Sequence, residues 1–133
     1  MNKMTLDVKT SSRTQFLDIT GKVSKAVESS GVEEGICYLF VPHTTAGLTI
    51  NENADPDVVR DMLIGFDSIA PQQGDYLHSE GNSPAHIKSS IMGQQKTVLI
   101  EGGKPVLGTW QGIYFCEFDG PRQRKLIIKV AKT

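Results

Sequence analysis

Cysteine is scarce in this chain, two residues in 133, and neither Cys37 nor Cys116 has the spacing that holds a metal. Both fall in apolar runs of strand character, so they read as reduced, buried side chains and not as a disulfide framework. Long hydrophobic runs are missing too. No stretch approaches the roughly 18 apolar residues of a membrane span, and the opening MNKMTLDVKTSSRTQF has no apolar signal core. A cytoplasmic protein without a membrane partner is therefore expected. Charge is not biased to one sign: 14 Lys and Arg against 15 Asp and Glu give a formal net charge of −1. That balance excludes a dedicated nucleic-acid binder, which needs clustered cations on one face. Internal repeats and low-complexity tracts are also lacking.

What is present is enough chain for one domain, 1–133, with a real core. Met4, Leu6 and Val8 alternate with polar residues, the period of a half-buried strand, and a second short strand is expected over 14–19. Thr20 offers an N-cap to a helix striped by Val23, Ala26 and Val27, which Gly31 closes. The run GICYLFVP at 35–42 is apolar at every position and suits a central strand buried on both faces. GLTINEN at 47–53 alternates and is expected to pair with it as a hairpin through HTTAG. Asp55 and Pro56 start a second helix reaching about residue 66, and 67–82 reads as a long loop of the kind that carries function. Ser83 as cap and Pro84 open a third helix ending near Gly93. From 95 onward the chain reads as strands: KTVLI, a turn at EGGKP, then VLGTWQGIYFCEFDG and RKLIIKV, the last two expected as a hairpin. The order implies an α+β fold, a largely antiparallel β-sandwich with two or three helices.

Chemistry is concentrated where the histidines are. All three lie in two polar stretches, PHTTAG at 42–47 and HSEGNSPAH at 78–86. Imidazole titrates near neutrality and is the commonest metal ligand. His43, His78 and His86 match the three protein ligands of an open catalytic zinc, with Asp75, Glu80 and Asp55 near enough in sequence to complete or orient the set. Acid–base work by one of them, or hydrogen bonding alone, are the alternatives. His86 and Ser90, four apart, share a helix face, and the amides at that helix start favour an anion. Glu117 leans from an apolar strand face, where burial would raise its pKa and suit it to proton transfer. Pairing with Arg122 or Arg124, or with a neighbouring subunit, is the competing role. In GTWQG, Gly108 and Gly112 bracket an aromatic plane at Trp110, which either stacks on a ligand or, on balance, fills the core. Arg122, just past the DGP turn, can fork onto phosphate or carboxylate. The acidic run from Glu52 to Glu80 and the basic end from Arg122 to Lys132 can hold a cation beside an anion.

Three segments in order, FVPHTTAGLTINENADPDVVRDM, GNSPAHIKSSIMG and GTWQGIYFCEFDGPRQRK, closely resemble the YjbQ-like family of small bacterial and archaeal proteins. The resemblance spans nearly the whole chain. It implies an α+β fold around a β-sandwich, a homotrimer with sites near subunit boundaries, and a weak thiamine-phosphate synthase activity. That reaction joins hydroxymethylpyrimidine diphosphate to a thiazole phosphate, so a phosphorylated small molecule is the implied partner. Carried across by position, His43, Asn51 and Glu117 are the implied catalytic residues. Thr44, Thr45, Ser90, Thr109, Trp110, Gln111 and Arg122 are the implied substrate or phosphate contacts. The implied cofactor is a divalent metal: histidines suit zinc, whereas diphosphate chemistry usually runs on magnesium held by oxygen. Gln95 departs from the serine common in the family at that position, away from the implied site.

Overall fold

The computed structural model describes residues 2–133. Its strands are β1 (Asn2–Lys9), β2 (Gln15–Asp18), β3 (Gly35–Phe40), β4 (Ala46–Glu52), β5 (Gln95–Glu101), β6 (Lys104–Pro105), β7 (Gln111–Glu117) and β8 (Gln123–Lys132). Its helices are α1 (Thr20–Ser30), α2 (Pro56–Ile69) and α3 (Ser83–Met92). Every strand pairing is antiparallel. A five-stranded sheet runs β1-β8-β3-β5-β6, and a three-stranded sheet runs β2-β7-β4. The fold is α+β, as the element order implied.

Two apolar clusters define the layers. The inward positions of the large sheet, among them Val8, Cys37, Leu39, Ile100 and Ile128, meet Leu48, Ile113 and Phe115 of the small sheet and Val23 and Val27 of α1. On the other side of the small sheet, Tyr114, Cys116 and Phe118 pack with Ala85 of α3, and Phe16, Val59 and Met92 press against them. β7 therefore lies between two cores, which explains why GIYFCEF shows no polar alternation: residues 112–118 are all buried. Burial pushes the Cys37 thiol up to about 11 and raises that of Cys116 further. Both thiols are free.

Several local expectations are corrected. β3, not β7, was the strand expected to be doubly buried; its outer face is open, with Tyr38 39% and Phe40 44% exposed. β3 and β4 do not form a hairpin, because they belong to different sheets, and neither do β7 and β8. Alternation fixes which side chains share a face but carries no information on which sheet a strand joins. Thr20 does not cap α1: its hydroxyl donates to Asp18 and accepts from the Ile113 N–H. The cap of α3 is Asn82, one residue before Ser83, and α2 runs to Ile69. Trp110 fills no core, being 63% exposed.

Candidate functional site

The two failed hairpins create the site. Where β3 leaves the large sheet and β4 enters the small one, the crossover 41–45 passes the reverse crossover 118–122 between β7 and β8. A backbone bond fastens them, Phe118 N–H donating to Thr45 O at 3.1 Å, and Val41 N–H donates to Gln94 O at 2.8 Å, tying the first crossover to the junction between α3 and β5. Gly47 is required because β4 touches the end of α3. A Cβ there would lie 2.7 Å from Gly93 O, the carbonyl that accepts from Leu48 N–H. On the other side, Ser89 Oγ donates to Thr44 O, fixing the crossover to the helix.

A cavity of about 330 Å³ opens between these segments, lined by His43, Thr44, Thr45, Asn82, His86 and Arg122, with Arg124 at its base and Glu80 and Asp119 on its wall. Arg124 and Glu117 form its foundation. Arg124 Nε donates to Glu117 Oε1 at 2.9 Å and Nη2 to Oε2, in the parallel fork that matches a guanidinium to a carboxylate. Glu117 is fully buried and Arg124 only 5% exposed. Burial alone would raise the Glu117 pKa, but donors from Arg124, the Thr10 hydroxyl and the Asp119 N–H outweigh it and hold the carboxyl below its ordinary value. The expected proton-transfer acid is thus a locked carboxylate. Arg124 Nη2 also donates to Thr45 Oγ1 at 2.8 Å. Its Nη1 has no acceptor among the described residues, and Arg124 is one of the residues that line the cavity.

His43 is equally committed. Its Nε2 accepts from the Lys125 N–H at 2.9 Å, so the neutral ring carries its proton on Nδ1. Burial first, then the Arg124 and Arg122 charges, lower its pKa against the opposing pull of Glu117. The ring is neutral at pH 7 and acts as a fixed N–H donor. Arg122 donates from Nε to Asp119 O at 2.7 Å and from Nη2 to Asp119 Oδ2 at 2.9 Å. Asn82 Nδ2 donates to the same carboxylate at 2.9 Å. Its Oδ1 is buried without a donor: Pro84 has no N–H to offer, and the Ala85 N–H goes to Asn82 O at 3.0 Å.

His86 differs from both, since its ring has no hydrogen-bond partner among the described residues. It stands edge-on to His78, centroids 5.6 Å apart, and also lines an adjoining surface pocket with Tyr76 and His78. His78 Nε2 is 3.9 Å from Glu80 Oε1.

The structure therefore brings together His43, Thr44, Thr45, His86 and Arg122, with Glu117 beneath them and His78 beside them. It does not bring the GTWQ segment to them within one chain. Glu117 pairs with Ala46 at one end of the small sheet, and Gln111 with Glu52 at the other. Seven residues of strand separate those ends by about 20 Å. Asn51, Thr109, Trp110 and Gln111 are exposed at the far end, where Gln111 Oε1 accepts from Gly108 N–H and Asn51 Oδ1 from Glu52 N–H. Ser90 points along its own helix, its hydroxyl donating to His86 O at 2.8 Å. Asp55 caps α2 by accepting from Asp57 N–H.

The three histidines do not fit a resident zinc within the chain. His43 Nε2 is occupied, and among the described residues no three His, Cys, Asp or Glu side chains stand close enough to hold a metal. Two site residues escaped the sequence reading as members of the cavity, Asn82 and Asp119, and Arg124 was considered only as a partner for Glu117. A signal for Arg124 existed: it falls in register with Leu126, Ile128 and Val130, all core-facing, so a charge there demanded a buried counter-charge.

Fold and site define the class as an antiparallel two-sheet α+β domain whose sheet crossovers enclose an arginine- and histidine-lined polar cavity. Residues 4–133 match the family model described as UPF0047 protein YjbQ-like, and the chain belongs to that family. It is 51% identical over 127 residues to the UPF0047 protein YugU of Bacillus subtilis, covering 95% of this chain and 96% of that protein. It is 50% identical over 123 residues to a UPF0047 protein of Methanocaldococcus jannaschii, covering 92% and 89% respectively. A crystal structure of a YjbQ/UPF0047 family protein from Clostridium acetobutylicum superposes with a TM-score of 0.94 at 58% identity, covering 96% of this chain and 99% of that one. No helix among the described residues is long and apolar enough to cross a membrane.

Proposed function

We propose that the protein binds and transforms a phosphorylated small molecule in the cavity between the two crossovers. The observation that carries this reading is the lining of one cavity by Arg122, Arg124 and His43: Arg124 Nη1 and the Nδ1–H of His43 have no acceptor among the described residues, and Arg122, paired with Asp119, is half exposed. Fixed donors aimed at a site where negative charge gathers need no reorganisation when it arrives. Glu80 and Asp119, the latter paired with Arg122, make the cavity nearly charge-balanced, which suits a phosphate or diphosphate entering as its magnesium complex, the metal held by oxygen ligands that the substrate itself supplies in part. His86 is the free imidazole beside these donors and is the side chain fitted to pass a proton to the departing diphosphate oxygen.

The reaction that the family resemblance suggests is compatible with this layout. The thiazole nitrogen would attack the pyrimidine methylene carbon, a C–N bond forming as the C–O bond to diphosphate breaks, with the departing anion on Arg122, Arg124 and His43. A homotrimer would supply the missing half: a neighbour's Thr109–Gln111 and Asn51, exposed at the far end of its small sheet, would face the cavity and offer Trp110 for stacking. The apolar outer face of the large sheet, Tyr38, Phe40 and the 56% exposed Leu99, supports such assembly and runs to within three residues of His43.

The test is calorimetric titration with magnesium pyrophosphate, followed by incubation with hydroxymethylpyrimidine diphosphate and thiazole phosphate. Binding should weaken about tenfold in Arg122→Gln, the usual effect of removing one charge-assisted contact, and His86→Ala should retain binding while losing product. Undiminished binding in Arg122→Gln would end the proposal. A second reading, a binding or sensing module without turnover, is favoured by one observation: His43 and Glu117, the two expected proton carriers, are both tied into fixed hydrogen bonds. Ligand-induced thermal stabilisation with no product over long incubation selects it.

A further inference from the structure

On the far side of the first turn of α3, separated from the crossover cavity by Pro84, Ala85 and Phe118, is a second cavity of about 460 Å³. Its size lies within the range of small-molecule pockets. The residue that makes it unusual is Lys88, whose side chain is 5% exposed. Lysine is almost never buried to that degree unless paired, because its ammonium is strongly hydrated and offers three donors. Here one donor goes to Asp67 Oδ1 at 2.5 Å, and the other two have no acceptor among the described residues. Asp67 is itself 67% exposed and shares its charge with solvent, so it is an incomplete counter-ion for a buried cation. On the rim is Arg13, whose guanidinium has no partner among the described residues; only its carbonyl is engaged, by Gly120 N–H. Two cations thus face one carboxylate across a cavity walled by Pro84, Ala85 and Phe118.

We infer that this second cavity binds an organic carboxylate with an apolar body, the carboxylate on Lys88 and Arg13 and the body against Pro84, Ala85 and Phe118. The surplus of one positive charge matches a monoanion better than a phosphate dianion. Spare ammonium donors on the floor and an unpaired guanidinium on the rim supply charge-assisted bonds to both carboxylate oxygens. The apolar wall distinguishes such a ligand from a bare inorganic anion, which gains nothing from it. This site is independent of the phosphate reading, since no residue in its argument lines the crossover cavity.

The experiment is a titration of the full chain with 3-phenylpropionate, acetate and inorganic phosphate, followed by proton–carbon spectra at the Ala85 methyl. The first compound should shift that methyl saturably, and acetate and phosphate should bind at least about tenfold more weakly, reflecting the lost apolar contact. Lys88→Met and Arg13→Gln should each weaken 3-phenylpropionate binding about tenfold, whereas Arg122→Gln, in the other cavity, should leave it unchanged. Arg13 is exposed and unpartnered, so Arg13→Gln remains decisive should Lys88→Met fold poorly. The inference is overturned if the Ala85 methyl does not respond, if Arg13→Gln binds as wild type does, or if acetate binds as tightly as 3-phenylpropionate.

Discussion

Glu117 and Arg124 carry opposite charges where water barely reaches them, their side chains 0% and 5% exposed. Removing one partner leaves the other buried and uncompensated, which costs about 3–5 kcal/mol, whereas replacing both by apolar residues of similar volume is far milder. Glu117→Gln should therefore lower stability by about that amount in urea unfolding at neutral pH, and Glu117→Leu combined with Arg124→Met should recover most of it. A double variant no better than the single one would mean that the pair is worth more than its mutual compensation. The pH dependence follows from the direction of the shift. Folding holds the Glu117 carboxyl below its ordinary value, so the unfolded chain binds the proton more readily. The stabilisation is full above the ordinary carboxylate range and is lost as pH falls through the folded value. Wild type and Glu117→Gln should thus converge in stability as pH is lowered from neutrality through and below the ordinary carboxylate range. His43 has the same sign, its folded pKa also being lowered, so its share fades as pH drops below the imidazole range.

The elements differ sharply in how firmly they are held. β7 is buried on both faces, and Phe115 is fully enclosed. By contrast α2 has no buried side chain, with Ile64 and Ile69 mostly open, and its last turn is tied to the body by Lys88–Asp67 and the Phe66–Phe118 ring contact. Phe115→Ala should cost about 3–5 kcal/mol through the cavity it leaves. Ile64→Ala should stay within about 0.5 kcal/mol. Denaturant midpoints measure both, and comparable losses would contradict the layer assignment. Much at this scale was legible in the sequence. The caps at Asp55 and Gly31, the Pro-opened α3, the alternation of β1 and the strand at β8 follow from local preferences that tertiary contacts do not override. The two hairpins were misread for a definite reason: β3 with β4, and β7 with β8, are adjacent in sequence and each has correct facial parity, but sheet membership is decided by non-local pairings such as Gly35 with Lys132.

Across the whole molecule, the outer face of the large sheet leaves Tyr38, Phe40 and Leu99 without cover, beside Ile127, which pairs with Phe40 across the sheet. An exposed apolar patch of this kind is suited to contact between subunits. If the assembly proposed above is correct, light scattering should give three times the chain mass of 14.5 kDa, and Phe40→Lys should shift the protein toward the monomer with loss of the condensation product from hydroxymethylpyrimidine diphosphate and thiazole phosphate. A wild-type monomer at all concentrations would remove the neighbour's Trp110 from the site.

The sequence by itself determined the fold class, the balance of charge, most element positions and the two polar stretches that supply most of the candidate cavity, because composition and periodicity act over a few residues at a time. Only the tertiary structure decided which of those residues share a cavity. It set Arg124 against Glu117, occupied Nε2 of His43 with the Lys125 amide, left His86 free, and moved Trp110 to the opposite end of the small sheet. Each of these depends on two chain crossovers between sheets, and a crossover joins residues tens of positions apart through pairings that no local pattern encodes.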